Sequence, residues 1–131
     1  MFLTKECDYA IRVVRGLASL ETKSVRTICD REHIPLPFAY KILKKLEHAG
    51  IVRAHRGNAG GYQLIKAPDD VTLINIVQAV DEHLFLNECL REGHVCPHNS
   101  NGNSCGVHQE FARIQRILIN ALSEKTIKEL I

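Results

Sequence analysis

The 131-residue sequence contains no segment of the kind that spans a membrane or directs secretion. It has no run of about 18 apolar residues, which is the length that a membrane-spanning helix needs. Its opening, MFLTKECDYAIRVV, interrupts every short apolar stretch with a charge and so does not resemble a signal peptide. These absences predict a cytoplasmic protein without membrane contacts, in which cysteine thiols stay reduced.

The sequence also lacks the motifs that mark most enzymes. It has no glycine-rich phosphate loop, no nucleophile motif and no paired acid and base residues in a pocket-like setting. The composition, 45% hydrophobic and 24% charged, predicts one ordinary core-forming domain with a short extension. A binding protein without a small-molecule substrate is therefore favoured over an enzyme.

Charge is unevenly distributed along the chain. Residues 1–66 contain 12 Lys or Arg and 6 Asp or Glu, whereas residues 67–131 contain 5 and 9. The net charges are therefore +6 and −4, which together give the overall +2. A basic first half beside an acidic second half indicates that the first half contacts a polyanion such as nucleic acid.

Helical periodicity predicts three helices in the first half. The first covers residues 5–20, the second follows Ser24 as its N-cap and ends near Glu32, and the third starts at Pro37 and ends at Gly50. Two helices joined by a few residues are typical of a helix-turn-helix. The third helix is expected to direct four apolar side chains inward: Phe38, Ile42, Leu46 and Ala49.

A β-hairpin is predicted directly after the third helix. Residues 51–68, IVRAHRGNAGGYQLIKAP, read as a strand, a glycine-rich turn and a returning strand. Val52 and Ala54 alternate with polar neighbours, and Arg56 and Asn58 fall at the tip. A hairpin in this place is the wing of a winged helix, and a wing arginine suits a narrow minor groove.

The second half is predicted to contain a helix capped by Thr72, a long helix from about Gly106 to Leu122, and a last short helix for which Ser123 is a candidate cap. The long helix has too much apolar face to leave in water. A second subunit is the expected cover because helix-turn-helix proteins usually read two-fold sites, and packing against its own chain is the alternative. This face comprises Phe111, Ile114, Ile117, Leu118 and Ala121.

The predicted fold is therefore mainly α with a small β-hairpin wing, a winged helix-turn-helix followed by a long dimerisation helix. Residues 1–68 are predicted to form the DNA-binding domain. Residues 69–131 are predicted to form a cysteine-containing loop and the dimerisation helices.

Three of the five cysteines fall in one polar segment, CLREGHVCPHNSNGNSCGVH, at residues 89–108. Cys89, Cys96 and Cys105 are separated by six and eight residues, so no tight Cys-x-x-Cys pair of the kind that structural zinc prefers is present. Wide spacing suits a loop around a larger object such as an iron–sulfur cluster. Zinc and metal-free redox thiols remain the alternatives.

Three stretches resemble the Rrf-two family (Rrf2) of bacterial transcription regulators: LTKECDYAIRVVRGLA, AYKILKKLEHAGIV and HRGNAGGYQL. The resemblance covers nearly the whole chain and includes the position of the three cysteines before the long helix. It implies a winged-helix homodimer that binds near-palindromic double-stranded promoter DNA. It also implies an iron–sulfur cluster, since several members carry one at this segment.

The resemblance leaves the fourth cluster ligand open. His108 follows Cys105 in a Cys-x-x-His arrangement used by some members, Asp8 matches a carboxylate ligand that others supply from the second subunit, and His33 matches a ligand of some two-iron relatives. A 4Fe–4S cluster is favoured and 2Fe–2S is possible. Cys7 and Cys29, on apolar helix faces, are predicted to be structural.

The expected mechanism is that loss or change of the cluster shifts the wings and the recognition helices and so alters promoter affinity. The signal would be nitric oxide, oxygen, redox state or cluster supply. Phosphate contacts are predicted from Arg26, Lys41, Lys44 and Lys45. Groove readout is predicted from Pro37, Tyr40, Lys41, Arg56 and Asn58.

Overall fold

The computed structural model describes residues 3–99 and 104–131. Within these residues the chain forms six α-helices and one two-stranded antiparallel hairpin, with short 3-10 turns between some of them. The elements in chain order are α1 (Lys5–Gly16), α2 (Val25–Glu32), α3 (Leu36–His48), β1 (Val52–His55), β2 (Gly61–Leu64), α4 (Leu73–Val80), α5 (Gly106–Glu124) and α6 (Ile127–Leu130). This order confirms the predicted winged helix-turn-helix followed by a long helix.

Helix α1 is capped by the Thr4 side chain, which accepts a hydrogen bond from the backbone of Cys7. It ends at Gly16, so the prediction of a helix reaching residue 20 was wrong. Leu17 is fully buried, but as the residue after the helix, and Leu20 is exposed in a left-handed conformation. The apolar spacing therefore continues beyond the point where the backbone leaves the helix.

Helices α2 and α3 form the predicted helix-turn-helix. Ser24 caps α2 by accepting from the Thr27 amide, and Pro37 lies in the first turn of α3. Phe38 is exposed rather than inward, and its ring centroid lies 5.7 Å from that of Tyr9 on α1. Ala49 is also exposed, as the residue after the helix. The buried face of α3 comprises Ala39, Ile42, Leu43 and Leu46.

The hairpin is anchored to the connection between α1 and α2. Lys23 and Tyr62 exchange two backbone hydrogen bonds of 2.9 and 2.8 Å, so an isolated antiparallel bridge joins the connection to β2. Gly61 has a φ of +154°, and a Cβ there would clash with the Lys23 carbonyl oxygen. Val52 pairs with Leu64 and both are buried, but Ala54 is exposed, so the predicted alternation does not continue along β1.

Helix α4 packs against α1 and α3, and its inward residues join the same core as the first three helices. Thr72 forms a capping box with Asn75 at its start, as predicted for the cap. None of the 19 residues of α5 is buried. No helix in the described part of the chain is long and apolar enough to cross a membrane.

Helix α6 returns the chain to the start of α4. Its cap is Thr126, in a capping box with Glu129, and not Ser123, whose hydroxyl bonds the Ile119 carbonyl inside the last turn of α5. Ile127 is buried, and its amide donates to the Val71 carbonyl at 2.7 Å. The end of the described chain is thereby fixed to the winged-helix core.

Candidate DNA interface and cysteine loop

The outer face of the helix-turn-helix presents α3 to solvent. Pro37, Tyr40 and Lys44, all predicted DNA contacts, are exposed, and Tyr40 is 53% exposed. Leu36 and Phe38 are exposed beside them, which the sequence pattern had not indicated. An exposed recognition helix with aromatic and apolar side chains near its start can contact base edges and thymine methyl groups.

Two other predicted phosphate contacts, Lys41 and Lys45, are already paired within the molecule. Both ammonium groups donate to the carboxylate of Glu6 on α1, Lys45 at 2.7 Å, and Lys45 also donates to the Val80 carbonyl at 2.8 Å. The hydrogen bonds from Lys41 and then Lys45 lower the pKa of Glu6 below its usual value. Sequence reasoning missed Glu6 because 35 residues separate it from Lys41.

The remaining predicted DNA contacts lie in separate places. Arg26 is exposed in the first turn of α2, and Arg56 and Asn58 are exposed in the turn between β1 and β2. These three side chains form no ion pair with any described residue. A free cation on α2 and another on the wing suit contacts with the DNA backbone on either side of α3.

The segment between α4 and α5 carries the three clustered cysteines. Its described part has no regular structure beyond 3-10 turns at Glu88–Leu90 and Pro97–Asn99. Cys89, Cys96 and Cys105 are free, half-buried thiols. Among residues 3–99 and 104–131, no group of three His, Cys, Asp or Glu side chains is placed so that it could hold a metal ion. Residues 100–103 of the predicted loop lie outside the described residues.

His108 differs from the other candidate ligands because one of its polar atoms is buried. The ring lies in the first turn of α5, three residues after Cys105, and its Nδ1 is buried without a hydrogen-bond partner among the described residues. A buried nitrogen normally has a partner. Three half-buried thiols and one unsatisfied imidazole nitrogen are a donor set that suits iron–sulfur ligation.

Asp8 already has two cationic partners. Its carboxylate accepts from Arg12 at 3.1 Å and from Lys5 at 3.2 Å. Partial burial of the carboxylate raises its pKa, but the hydrogen bonds from Arg12 and Lys5 outweigh burial, so the pKa of Asp8 lies below its usual value. His33 is exposed in a left-handed conformation at the end of α2.

Cys7 and Cys29 lie in the core. Cys7 is fully buried, and its sulfur is 3.3 Å from the Thr4 hydroxyl. Burial, with a smaller contribution from Asp30, raises the pKa of the Cys29 thiol. Both environments suit structural cysteines.

Comparison with known proteins connects this architecture to one family. The Rrf2 family model, described as an iron-dependent transcriptional regulator, matches residues 3–131. An HTH-type transcriptional regulator of Synechocystis is 41% identical over 87 residues, which cover 64% of this chain and 59% of that protein. The regulator NsrR of Shouchella clausii is 29% identical over 100% of this chain and 89% of its own length. The regulator IscR of Vibrio atlanticus is 28% identical over 99% of this chain and 75% of its own length.

Solved structures share the fold at lower identity. IscR of T. potens has a TM-score of 0.79 and 17% identity, covering 98% of this chain and 84% of that one. CymR, described as the global cysteine regulator of B. subtilis, has a TM-score of 0.72 and 21% identity, covering 98% and 94%. The chain belongs to the Rrf2 family of transcriptional regulators, as its motifs predicted, and is a DNA-binding regulator rather than an enzyme.

Proposed function

We propose that the promoter affinity of this regulator is controlled by an iron–sulfur cluster held by the cysteine loop. The observation that carries the proposal is the buried Nδ1 of His108, which lacks a partner among the described residues and lies one helical turn beyond Cys105. The iron-dependent description of the family model that matches residues 3–131 points in the same direction.

The proposed ligands are Cys89, Cys96, Cys105 and His108. The three thiols do not lie close together in the structure, but the described part of the loop between α4 and α5 has little regular structure that bringing them together would disrupt. Asp8 is the alternative fourth ligand, supplied by the second subunit. Its ligation would have to break the hydrogen bonds from Lys5 and Arg12, which favours His108. His33 ranks third.

A bound cluster supplies redox and nitric oxide reactivity, and a nitrogen or oxygen ligand leaves one iron more labile than four thiolates would. The protein contributes a path to the DNA-binding surface. The loop begins directly after α4, α4 packs against α1 and α3, and Lys45 of α3 donates to the carbonyl of Val80, the last residue of α4. We infer that a change in the loop alters the position of α3.

The proposed DNA contacts are assigned from the exposure of each side chain and its partners within the protein. Arg26 and Lys44 contact phosphates, and Lys41 does so when it leaves Glu6. Lys45 keeps its hydrogen bonds within the protein. The side chains proposed for groove readout are Pro37, Tyr40, Lys41, Arg56 and Asn58.

We further propose that the protein is a cytoplasmic homodimer whose second subunit covers α5. Residues 1–68 would read DNA, and residues 69–131 would hold the cluster and the dimer contacts. The support is the unburied apolar face of α5, on which Ile117 is 51% exposed and Val107 is 62% exposed. A face of this size is rarely left in water.

Anaerobic purification with a visible spectrum and iron and sulfide analysis tests the cluster. About four iron and four sulfide ions per chain would indicate a 4Fe–4S cluster, whereas about two of each would indicate a 2Fe–2S cluster. We expect His108→Ala to keep a coloured but less stable cluster and Cys105→Ser to lose the colour. A colourless, iron-free chain after reconstitution would contradict the proposal, and an unchanged cluster in both His108→Ala and Asp8→Ala would contradict both fourth ligands.

A metal-free thiol switch is the second candidate function. A zinc site, which would be colourless, is the alternative metal site. The observation in its favour is that the three thiols are free and not gathered in the described structure. Thiol titration before and after mild oxidation, combined with DNA binding, distinguishes this candidate from the cluster.

A further inference from the structure

The three lysines of α3 differ in their partners. Lys44 forms no ion pair with any described residue, Lys41 donates to Glu6, and Lys45 donates to Glu6 at 2.7 Å and to the Val80 carbonyl at 2.8 Å. They occupy one stretch of the recognition helix, yet only Lys44 is free within the described chain. The pairing therefore assigns them different roles.

Lys45 has more acceptors within the molecule than Lys41 and is less exposed. Its side chain is 36% exposed, and its two acceptors belong to α1 and α4, so it joins three helices. A DNA phosphate would have to replace both acceptors to recruit it. Lys45 is thus best suited to a structural role.

Lys41 is placed differently. Its side chain is 59% exposed, Glu6 is its one acceptor among the described residues, and the exposed Tyr40 precedes it on α3. The Glu6 side chain is 24% exposed and is also held by Lys45. Glu6 therefore cannot follow Lys41 toward DNA, and an approaching phosphate must take Lys41 from it.

We propose that Glu6 is an intramolecular competitor of DNA phosphate, which weakens DNA binding by occupying Lys41 of the recognition helix. The inference rests on the DNA-reading role of α3 proposed above. A carboxylate and a phosphate are both anionic acceptors for an ammonium group, and the two anions repel each other when they share it, so Glu6 reduces the gain from a phosphate contact with Lys41. Glu6 lies in the first turn of α1, so a displacement of that turn would change the competition.

The substitution Glu6→Gln tests this competition, because glutamine keeps the size and a hydrogen-bonding oxygen but removes the charge. The full chain is titrated by fluorescence anisotropy against a labelled random-sequence duplex about three helical turns long. A random sequence suffices because phosphate contacts are independent of sequence.

We expect Glu6→Gln to bind more tightly than wild type and to show a steeper salt dependence. One added phosphate contact per subunit changes the slope of log K against log salt by about 0.9. The advantage over wild type should therefore grow about 3.5-fold per contact as salt falls from about 200 to about 50 mM.

Two controls make the result specific. Glu6, Lys41 and Glu82 line one surface cavity of the protein. Glu82 forms no ion pair with the described residues, so Glu82→Gln removes the same charge but should change DNA affinity much less. In a Lys41→Gln background, Glu6→Gln should have no effect beyond that of Glu82→Gln. Circular dichroism melting checks that each variant is folded.

The competition is overturned if Glu6→Gln equals Glu82→Gln, if it weakens binding, or if its effect persists without Lys41. Those results would leave the DNA-reading role of α3 intact. If neither wild type nor any variant binds the duplex at low salt, the DNA-reading role itself fails, and the competition fails with it.

Discussion

Helices α3 and α5 are both amphipathic, but their apolar faces have different surroundings. Helix α3 buries Ala39, Ile42, Leu43 and Leu46 against the other helices of the winged domain. Helix α5 is longer, yet none of its 19 residues is buried. The winged-helix part buries its apolar side chains within a single chain. The apolar face of α5 is not buried within the chain, and the proposed second subunit would cover it.

This difference separates a tightly packed part of the molecule from a loosely packed one. A continuous core joins α1, α2, α3, the hairpin and α4, so the DNA-binding surface is held rigidly. No described residue of the cysteine loop is buried, and regions with few buried contacts are those that open or rearrange most easily. The proposed control by the loop benefits from this arrangement, because a change in the loop can reposition α3 without disrupting the packing of the core.

The largest expected effect is on association through α5. Ile117→Asp places a charge on the exposed apolar face and should weaken dimerisation by at least about 100-fold, or about 2.7 kcal/mol. The matched control is Asn120→Asp, which adds the same charge at an exposed polar position of the same helix. Sedimentation equilibrium measures both, and equal dimer stability in the two variants would contradict the proposed interface.

Truncation of matched valines tests the contrast in packing. Val14 is fully buried in α1, whereas Val95 in the cysteine loop is 81% exposed. Val14→Ala should lower the free energy of unfolding by roughly 2 kcal/mol, and Val95→Ala by less than about 0.5 kcal/mol. Denaturant unfolding measures both values. Similar losses would mean that the loop is covered in solution.

Glycine substitutions compare the two regions at the level of the backbone. Gly61→Ala should cost about 1–3 kcal/mol because of its left-handed φ and its contact with the Lys23 carbonyl. Gly106 begins α5, and a Cβ there would meet no described residue within 4 Å, so Gly106→Ala should be neutral or slightly stabilising. Thermal melting distinguishes the two, and a harmless Gly61→Ala would show that the wing is not held as the structure indicates.

The smallest effect concerns charge. Lys44→Gln should reduce the salt slope of DNA binding by about 0.9 per subunit, whereas Lys128→Gln on α6 should leave it unchanged. The two substitutions remove the same charge from the two regions. Equal effects would indicate that the net charge of the chain, rather than the surface of α3, determines DNA binding.

The sequence predicted elements whose signals are local. Ser24 and Thr72 were identified as caps because a hydroxyl before an apolar-periodic run has an immediate physical role. Thr126 was missed in favour of Ser123, although Thr126 has a glutamate three residues later, the pattern of a capping box. That error was avoidable from the sequence.

Other features depend on tertiary packing. Phe38 and Ala39 both fit a helical stripe through Ile42 and Leu46, and only the packing of α3 against its neighbouring elements determines that Ala39 is buried and Phe38 is exposed. The pairing of Glu6 with Lys41 joins residues far apart in the chain. For the cysteine loop, the sequence supplied the donor set, but the described structure does not gather it.

The return of α6 to the core has a consequence for the whole second half. The bridge between Thr72 and Thr126 and the hydrogen bond from Ile127 to Val71 close a loop of about 55 residues that contains α4, the cysteines and α5. The cysteine segment is thus connected to the winged-helix core at both of its ends, so a displacement of the segment acts on the core at two points. A single proteolytic cut within it should leave two fragments that remain associated through the core.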